Sequence, residues 1–177
     1  VDWGTAAKVT VKVTADDLPV TGTVELREGD KVRGTGTLNA GTASFPLPVG
    51  LASGTHPLTV SYSGSDSLDA ATGVATVTVN LPPAWSPAAS YKAGTRVSLD
   101  GKVYLASWAS QNQKPGAPYG AWEELAMTED GTTIWTASRV FRTGDRALYE
   151  GRLYEAKWFN NNQPPSTAPS GPWKPIG

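Results

Sequence analysis

Residues 8–14 read Lys-Val-Thr-Val-Lys-Val-Thr, an unbroken alternation that sets Val9, Val11 and Val13 on one face of a half-buried strand. Short runs of the same kind follow. Thr23–Arg27 leads through Glu28-Gly29-Asp30 into Lys31–Arg33, and Ala43–Leu47 precedes a glycine-rich corner from Gly50 to Gly54. His56–Tyr62 and Val74–Val79 complete the series. Strands this short, spaced this regularly and separated by turn residues predict an antiparallel β-sandwich. The pattern stops at residues 80–84, Asn-Leu-Pro-Pro-Ala, because adjacent prolines favour an extended connection and do not fit a central strand.

Beyond that break the chain repeats itself. Gly101-Lys102-Val103-Tyr104-Leu105-Ala106-Ser107-Trp108-Ala109 returns 50 residues later as Gly151-Arg152-Leu153-Tyr154-Glu155-Ala156-Lys157-Trp158-Phe159. The same offset relates Trp85 to Trp135, Tyr91 to Phe141, Gln113 to Gln163 and Pro115 to Pro165, and it becomes 51 for Trp122 and Trp173. A fixed period of this kind marks a tandem duplication. The predicted organisation is therefore a sandwich over 1–79, a connection over 80–84, one unit over 85–125, a polar linker over 126–133 and a second unit over 134–177. Within each unit, Asp100-Gly101 or Glu150-Gly151 joins two strand-like runs and predicts a tight hairpin. Units of some forty residues rarely hold a core unaided, so the paired rings Trp85, Tyr91, Tyr104 and Trp122, with Trp135, Phe141, Tyr154 and Trp173, are expected to supply it. The fold class is all-β: an immunoglobulin-like sandwich followed by two small antiparallel modules with aromatic cores.

Composition narrows the functions open to such a chain. A net charge of −1 over 177 residues argues against nucleic acid or an anionic membrane as the main partner, since both require a basic surface. No apolar run is long enough to span a bilayer, and the N-terminal residues do not read as a signal peptide. With no cysteine, disulfides, thiolate catalysis and zinc–cysteine sites are excluded. His56 is the single histidine, so a Ser-His-Asp relay has one candidate base and no histidine cluster can hold a metal. Asp66 and Asp69 lack a calcium-loop spacing and read as turn residues. A glycosidase needs two carboxylates across a cleft. Glu123, Glu124, Glu150 and Glu155 instead fall on turns and exposed strands of units too small for one, and read as solvated charge. No catalytic residue, metal or cofactor is expected.

The aromatics that remain point to sugar. A pyranose presents a flat face of C–H groups that a rigid exposed ring covers, while neighbouring amides bond its rim hydroxyls. Trp158-Phe159 runs into Asn160-Asn161-Asn162-Gln163, and Trp108 into Ser110-Gln111-Asn112-Gln113. Alternation puts Phe159 on the face that carries Glu155 and Lys157, where an exposed ring needs a reason. For Trp108 and Trp158, alternation alone leaves core and surface equally open.

Two family resemblances add to this reading. Thr21-Gly22-Thr23-Val24, Gly41-Thr42-Ala43, Leu51–His56 and Tyr62-Ser63-Gly64 resemble the bacterial immunoglobulin-like repeats of secreted and surface proteins over residues 1–79. In those domains a strand usually precedes the Trp3-Gly4 position, which implies that Val1 is an excision point in a longer chain. Each later repeat is similar over its whole length to the chitin-binding type 3 module, carbohydrate-binding module families five and twelve. The second copy, with Ala156-Lys157-Trp158-Phe159 and Gln163-Pro164-Pro165, matches better than the first, which has Ala109 in place of the second ring. The resemblance implies that Trp108 and Trp158 are exposed. The expected binding residues are then Trp158, Phe159, Trp108, Tyr119, Gln163 and Gln113. The resemblance further implies a monomeric, secreted, non-catalytic part of a polysaccharide-degrading protein that binds insoluble chitin, with cellulose as the second polymer. The competing expectation is a structural or adhesive module that binds protein or cell-wall glycan.

Overall fold

The computed structural model describes residues 1–16 and 18–176. Sixteen strands and no helix occur among them, so the chain is all-β as its alternation predicts. It divides into two compact units, Val1–Asn80 and Leu81–Gly177.

The first unit has six strands: β1 (Ala7–Lys12), β2 (Thr23–Glu28), β3 (Lys31–Thr37), β4 (Thr42–Leu47), β5 (Gly54–Tyr62) and β6 (Ala71–Val79). One sheet pairs β1 with β4, and the other runs β3-β2-β5-β6, every ladder antiparallel. Between them lies a core that includes Val11, Val24, Leu26, Phe45, Leu58 and Tyr62, the inward members of the alternating runs. The Tyr62 hydroxyl donates to the Thr21 carbonyl at 2.6 Å, which satisfies a polar tip that its buried ring carries inside. A register shift at Leu26/Arg27 lets β3 bulge at Arg33. Arg33 Nε donates to Glu28 Oε2 at 2.8 Å, and His56 Nδ1 lies 2.7 Å from Glu28 Oε1. His56 Nε2 is 2.9 Å from the Ala52 carbonyl. The single histidine thus closes the glycine-rich corner.

The second unit contains both repeats, and they build alike. In the first, β7 (Ser90–Tyr91) pairs with β10 (Ser110–Gln111), while β8 (Arg96–Leu99), β9 (Lys102–Ala106) and β11 (Trp122–Leu125) form a sheet in the order β11-β9-β8. In the second, β12 (Val140–Phe141) pairs with β15 (Asn160–Asn161), while β13 (Arg146–Tyr149), β14 (Arg152–Ala156) and β16 (Trp173–Pro175) form the sheet β13-β14-β16. Leu99 faces Lys102 and Tyr149 faces Arg152, so both hairpins turn on two residues. Those residues have positive φ, 52° and 77° for Asp100-Gly101 and 47° and 76° for Glu150-Gly151, the geometry that suits the strand twist.

Trp122 and Trp173 are each 1% exposed and anchor the two small cores. Their indole N–H groups donate at 2.8 Å to the main-chain carbonyls of Gln113 and Gln163. Tyr91 meets Trp122 edge-on at 5.1 Å between ring centres, and Phe141 meets Trp173 in the same manner at 5.0 Å. Trp85 and Trp135 are partly buried against these clusters.

Two local expectations change. The alternation followed through Glu155, Lys157 and Phe159 implies strands that run on past Trp108 and Trp158, but they stop at Ala106 and Ala156. There Ala106 pairs with Trp122 and Ala156 with Trp173, after which Ser107 N donates to the Ala121 carbonyl and Lys157 N to the Pro172 carbonyl as the chain bends. Period two does not hold past the bend. The segment read as a polar linker after Leu125 is a hydrogen-bonded turn: Met127 bridges Thr133, Thr128 N donates to Thr132 O, and Ile134 N donates to Ala126 O.

Candidate carbohydrate-binding site

The bends after β9 and β14 turn the next side chains outward. Trp108 is 48% exposed, Trp158 45% and Phe159 63%, and Tyr119 in the loop before β11 is 69% exposed. Of the rings in the second unit, these four are the exposed ones among the described residues, while the paired rings of the repeat form the cores.

The repeats dock head to tail. The last strand of the first repeat, β11, receives the opening segment of the second. Glu124 N donates to Ser138 Oγ at 3.0 Å, and Thr136 Oγ1 donates to the Glu124 carbonyl at 3.1 Å. Glu123 joins both sides, accepting from Ser107 Oγ at 2.6 Å and from Val140 N at 3.2 Å. Burial pushes the Arg139 guanidinium below the ordinary arginine value, an effect opposed by the Glu123 and Asp145 carboxylates. Arg139 also stands 5.7 Å over the Phe141 ring.

Along this seam runs a groove of about 370 Å³. The first repeat supplies Ser107, Trp108, Tyr119 and Glu123; the second supplies Val140, Phe159, Asn160, Asn161 and Gln163. Its volume lies in the range of small-molecule sites. The one formally charged side chain in it, Glu123, has both carboxylate oxygens occupied by Ser107 and Val140. Asn160 is 2% exposed; its Nδ2 donates to the Trp158 carbonyl, and its Oδ1 has no hydrogen-bond partner among the described residues. Asn161 Nδ2 donates to Ser138 O at 3.4 Å, and Asn161 Oδ1 is likewise unpaired. Rings beside buried, unpaired amide oxygens suit a neutral ligand with apolar faces and hydroxyl donors.

Of the six residues that the sequence singles out, four meet here: Trp108, Tyr119, Phe159 and Gln163. Trp158 and Gln113 stand outside the groove. Lys157 Nζ lies 4.7 Å from the Trp158 ring centre and donates to the Pro169 carbonyl, so a cation accompanies that ring. Gln113 contributes its main-chain carbonyl to Trp122, a bond that does not depend on its side chain. Asn160 and Asn161 figure in the sequence only within the uncharged cluster, and Glu123, which reads there as solvated charge, is instead partly buried and hydrogen-bonded through both oxygens. Their signal was the uncharged cluster after Phe159 and the departure from the repeat at Glu123, where the second copy has Lys174. No group of three metal-ligating side chains converges among the described residues, and no helix is long and apolar enough to cross a membrane.

The first unit lies outside this groove, and its six-stranded sandwich agrees with a family comparison that spans residues 1–80. Those residues are a bacterial Ig-like domain of group 3. This Ig-like domain accounts for the sandwich. A stretch of 43 residues, 24% of the chain, is 46% identical to Endoglucanase A of Evansella cellulosilytica. The match spans 9% of that protein's length. The chain therefore combines an Ig-like domain with likeness to part of an endoglucanase.

Proposed function

We propose that the chain is a non-catalytic carbohydrate-binding part of a larger secreted protein, which it anchors to an insoluble β-1,4-linked polysaccharide, chitin foremost. The observation that carries this reading is the exposure of Trp108, Tyr119, Trp158 and Phe159 in units whose other large rings are buried or partly buried in the cores. Exposed rings of this size are costly to leave in water and mark contact surfaces. The groove that three of them line holds amides, hydroxyls and one hydrogen-bonded carboxylate, Glu123, rather than the carboxylate pair of a glycosidase. The similarity to part of an endoglucanase supports an accessory role beside a polysaccharide-degrading enzyme.

Depletion of the purified chain from solution by insoluble chitin, with cellulose alongside, tests it. The native chain is expected to leave solution with chitin. The folded variant Trp108→Ala/Trp158→Ala/Phe159→Ala is expected to stay behind. A native chain that ignores both polymers would overturn the proposal and favour a protein-binding surface.

A further inference from the structure

We infer that the two repeats form one glycan site between them, a groove that takes a single β-1,4-linked chain, rather than two independent platforms. The inference rests on the carbohydrate reading above and specifies how that ligand is held.

Comparison of the repeats with each other carries the argument. Around the last turn the offset is 51, so Ala117-Pro118-Tyr119-Gly120 corresponds to Ala168-Pro169-Ser170-Gly171, and Tyr119 has Ser170 as its counterpart. Phe159 has Ala109. These two exposed rings therefore each occur in one copy only. Both line the seam groove, Tyr119 from the first repeat and Phe159 from the second, with Trp108 beside them. A duplicated pair of independent sites would keep the same rings in both copies. Here the head of the first repeat keeps Trp108 and Tyr119, the tail of the second keeps Phe159, and these are the faces that meet.

The docking residues break the repeat in the same places. Ser107 and Glu123 on the first head become Lys157 and Lys174 on the second, while Ser138 and Val140 on the second tail replace Ala88 and Ser90 on the first. Each of these four seam residues lines the groove. The head of the second repeat, by contrast, places an ammonium 4.7 Å from its tryptophan ring.

Two further features belong to a ligand site. Tyr119 adopts φ 61°, a left-handed backbone that a bulky residue rarely takes and that recurs at functional positions. Asn160, almost wholly buried and with an unpaired Oδ1, is one of the residues that line the groove. Rings that cover the C–H faces of a sugar, beside amide and hydroxyl side chains for its rim hydroxyls, use what the groove offers. A concave cleft admits one chain, whereas a crystalline surface requires a flat platform.

Calorimetric titration of the full chain with soluble β-1,4-linked N-acetylglucosamine hexamer, and with cellohexaose, tests this beside depletion by the insoluble polymers. One hexamer per chain is expected. Trp108→Ala and Phe159→Ala, in different repeats, should each weaken it at least tenfold, and the double variant should lose little more. Phe159→Tyr should retain binding, which separates loss of the ring from misfolding. Two hexamers per chain, or single variants that each remove half the capacity, would overturn the shared site while leaving the carbohydrate reading intact. Binding to insoluble polymer with none to either hexamer would do the same. Failure to bind polymer or hexamer would overturn both.

Discussion

Glu123→Ala removes the side chain that ties the first repeat to the second. Its two oxygens accept from Ser107 Oγ at 2.6 Å and Val140 N at 3.2 Å. The Ser107 hydroxyl can rotate, so its loss costs little, but the half-buried Val140 amide is fixed by strand β12 and loses its partner. An unsatisfied buried donor costs about 1–3 kcal/mol, and partial burial puts this one at about 1–2 kcal/mol. Arg139, half-buried near the same carboxylate, also loses an opposing charge, though Asp145 remains. For a unit of this size the sum corresponds to a fall of about 5–15 °C in its melting temperature. Glu123→Gln keeps one acceptor oxygen and should lie between native and alanine. Amide hydrogen exchange reads the effect at its source, since 1.4 kcal/mol is a factor of ten. Exchange at Val140 should quicken about tenfold in Glu123→Ala, with the Ig-like domain unaltered. Unchanged Val140 exchange together with an unchanged melting temperature would show that the carboxylate does not hold the seam.

Two further predictions concern the Ig-like domain. The hydrogen bond to the Ala52 carbonyl and that to Glu28 raise the His56 pKa, against burial. Burial pushes Glu28 up, but Arg33 and His56 outweigh it and hold the carboxyl below its ordinary value. A raised histidine contributes stability that is complete below its unfolded pKa near 6.5 and is lost as pH rises through the folded value; a depressed carboxylate contributes above its unfolded value and is lost as pH falls through the folded one. The stability gap between native and His56→Gln should therefore be larger near pH 5.5 than near pH 9 in thermal melts, and a gap independent of pH would refute the charged pair. In strand β3, a Cβ on Gly34 would stand 2.4 Å from Phe45 Cδ1, whereas one on Gly36 would stand 3.3 Å from Phe45 Cε1. Gly34→Ala should cost about 1–3 kcal/mol by overpacking and Gly36→Ala clearly less, as measured by denaturant unfolding; equal effects would contradict the packing.

Local pattern carried much of the architecture. Val9, Val11 and Val13 declare a half-buried strand because side chains alternate with period two, and Asp100-Gly101 declares a hairpin because its turn needs positive φ. The repeat identified the core as well, since Trp122 and Trp173 recur where units too small for an aliphatic core need a large ring. Alternation leaves Trp108 and Trp158 undecided because the strands end at Ala106 and Ala156, and the bend that turns the rings outward is fixed by carbonyls of Ala121 and Pro172, some fifteen residues away.

Strands, turns and ring clusters are thus legible in the chain itself, because they follow from propensities and periodicities acting over a few residues. Which exposed ring stands beside which was decided only by the tertiary structure. Tyr119 and Phe159 are distant in sequence, and no local pattern brings them together. The docking of β11 on the opening of the second repeat does so, through Glu123, Glu124, Thr136, Ser138 and Val140. That contact depends on the shapes of both repeats together, which is why two tryptophan-bearing repeats look equivalent in the sequence and become the two unlike walls of one groove in space.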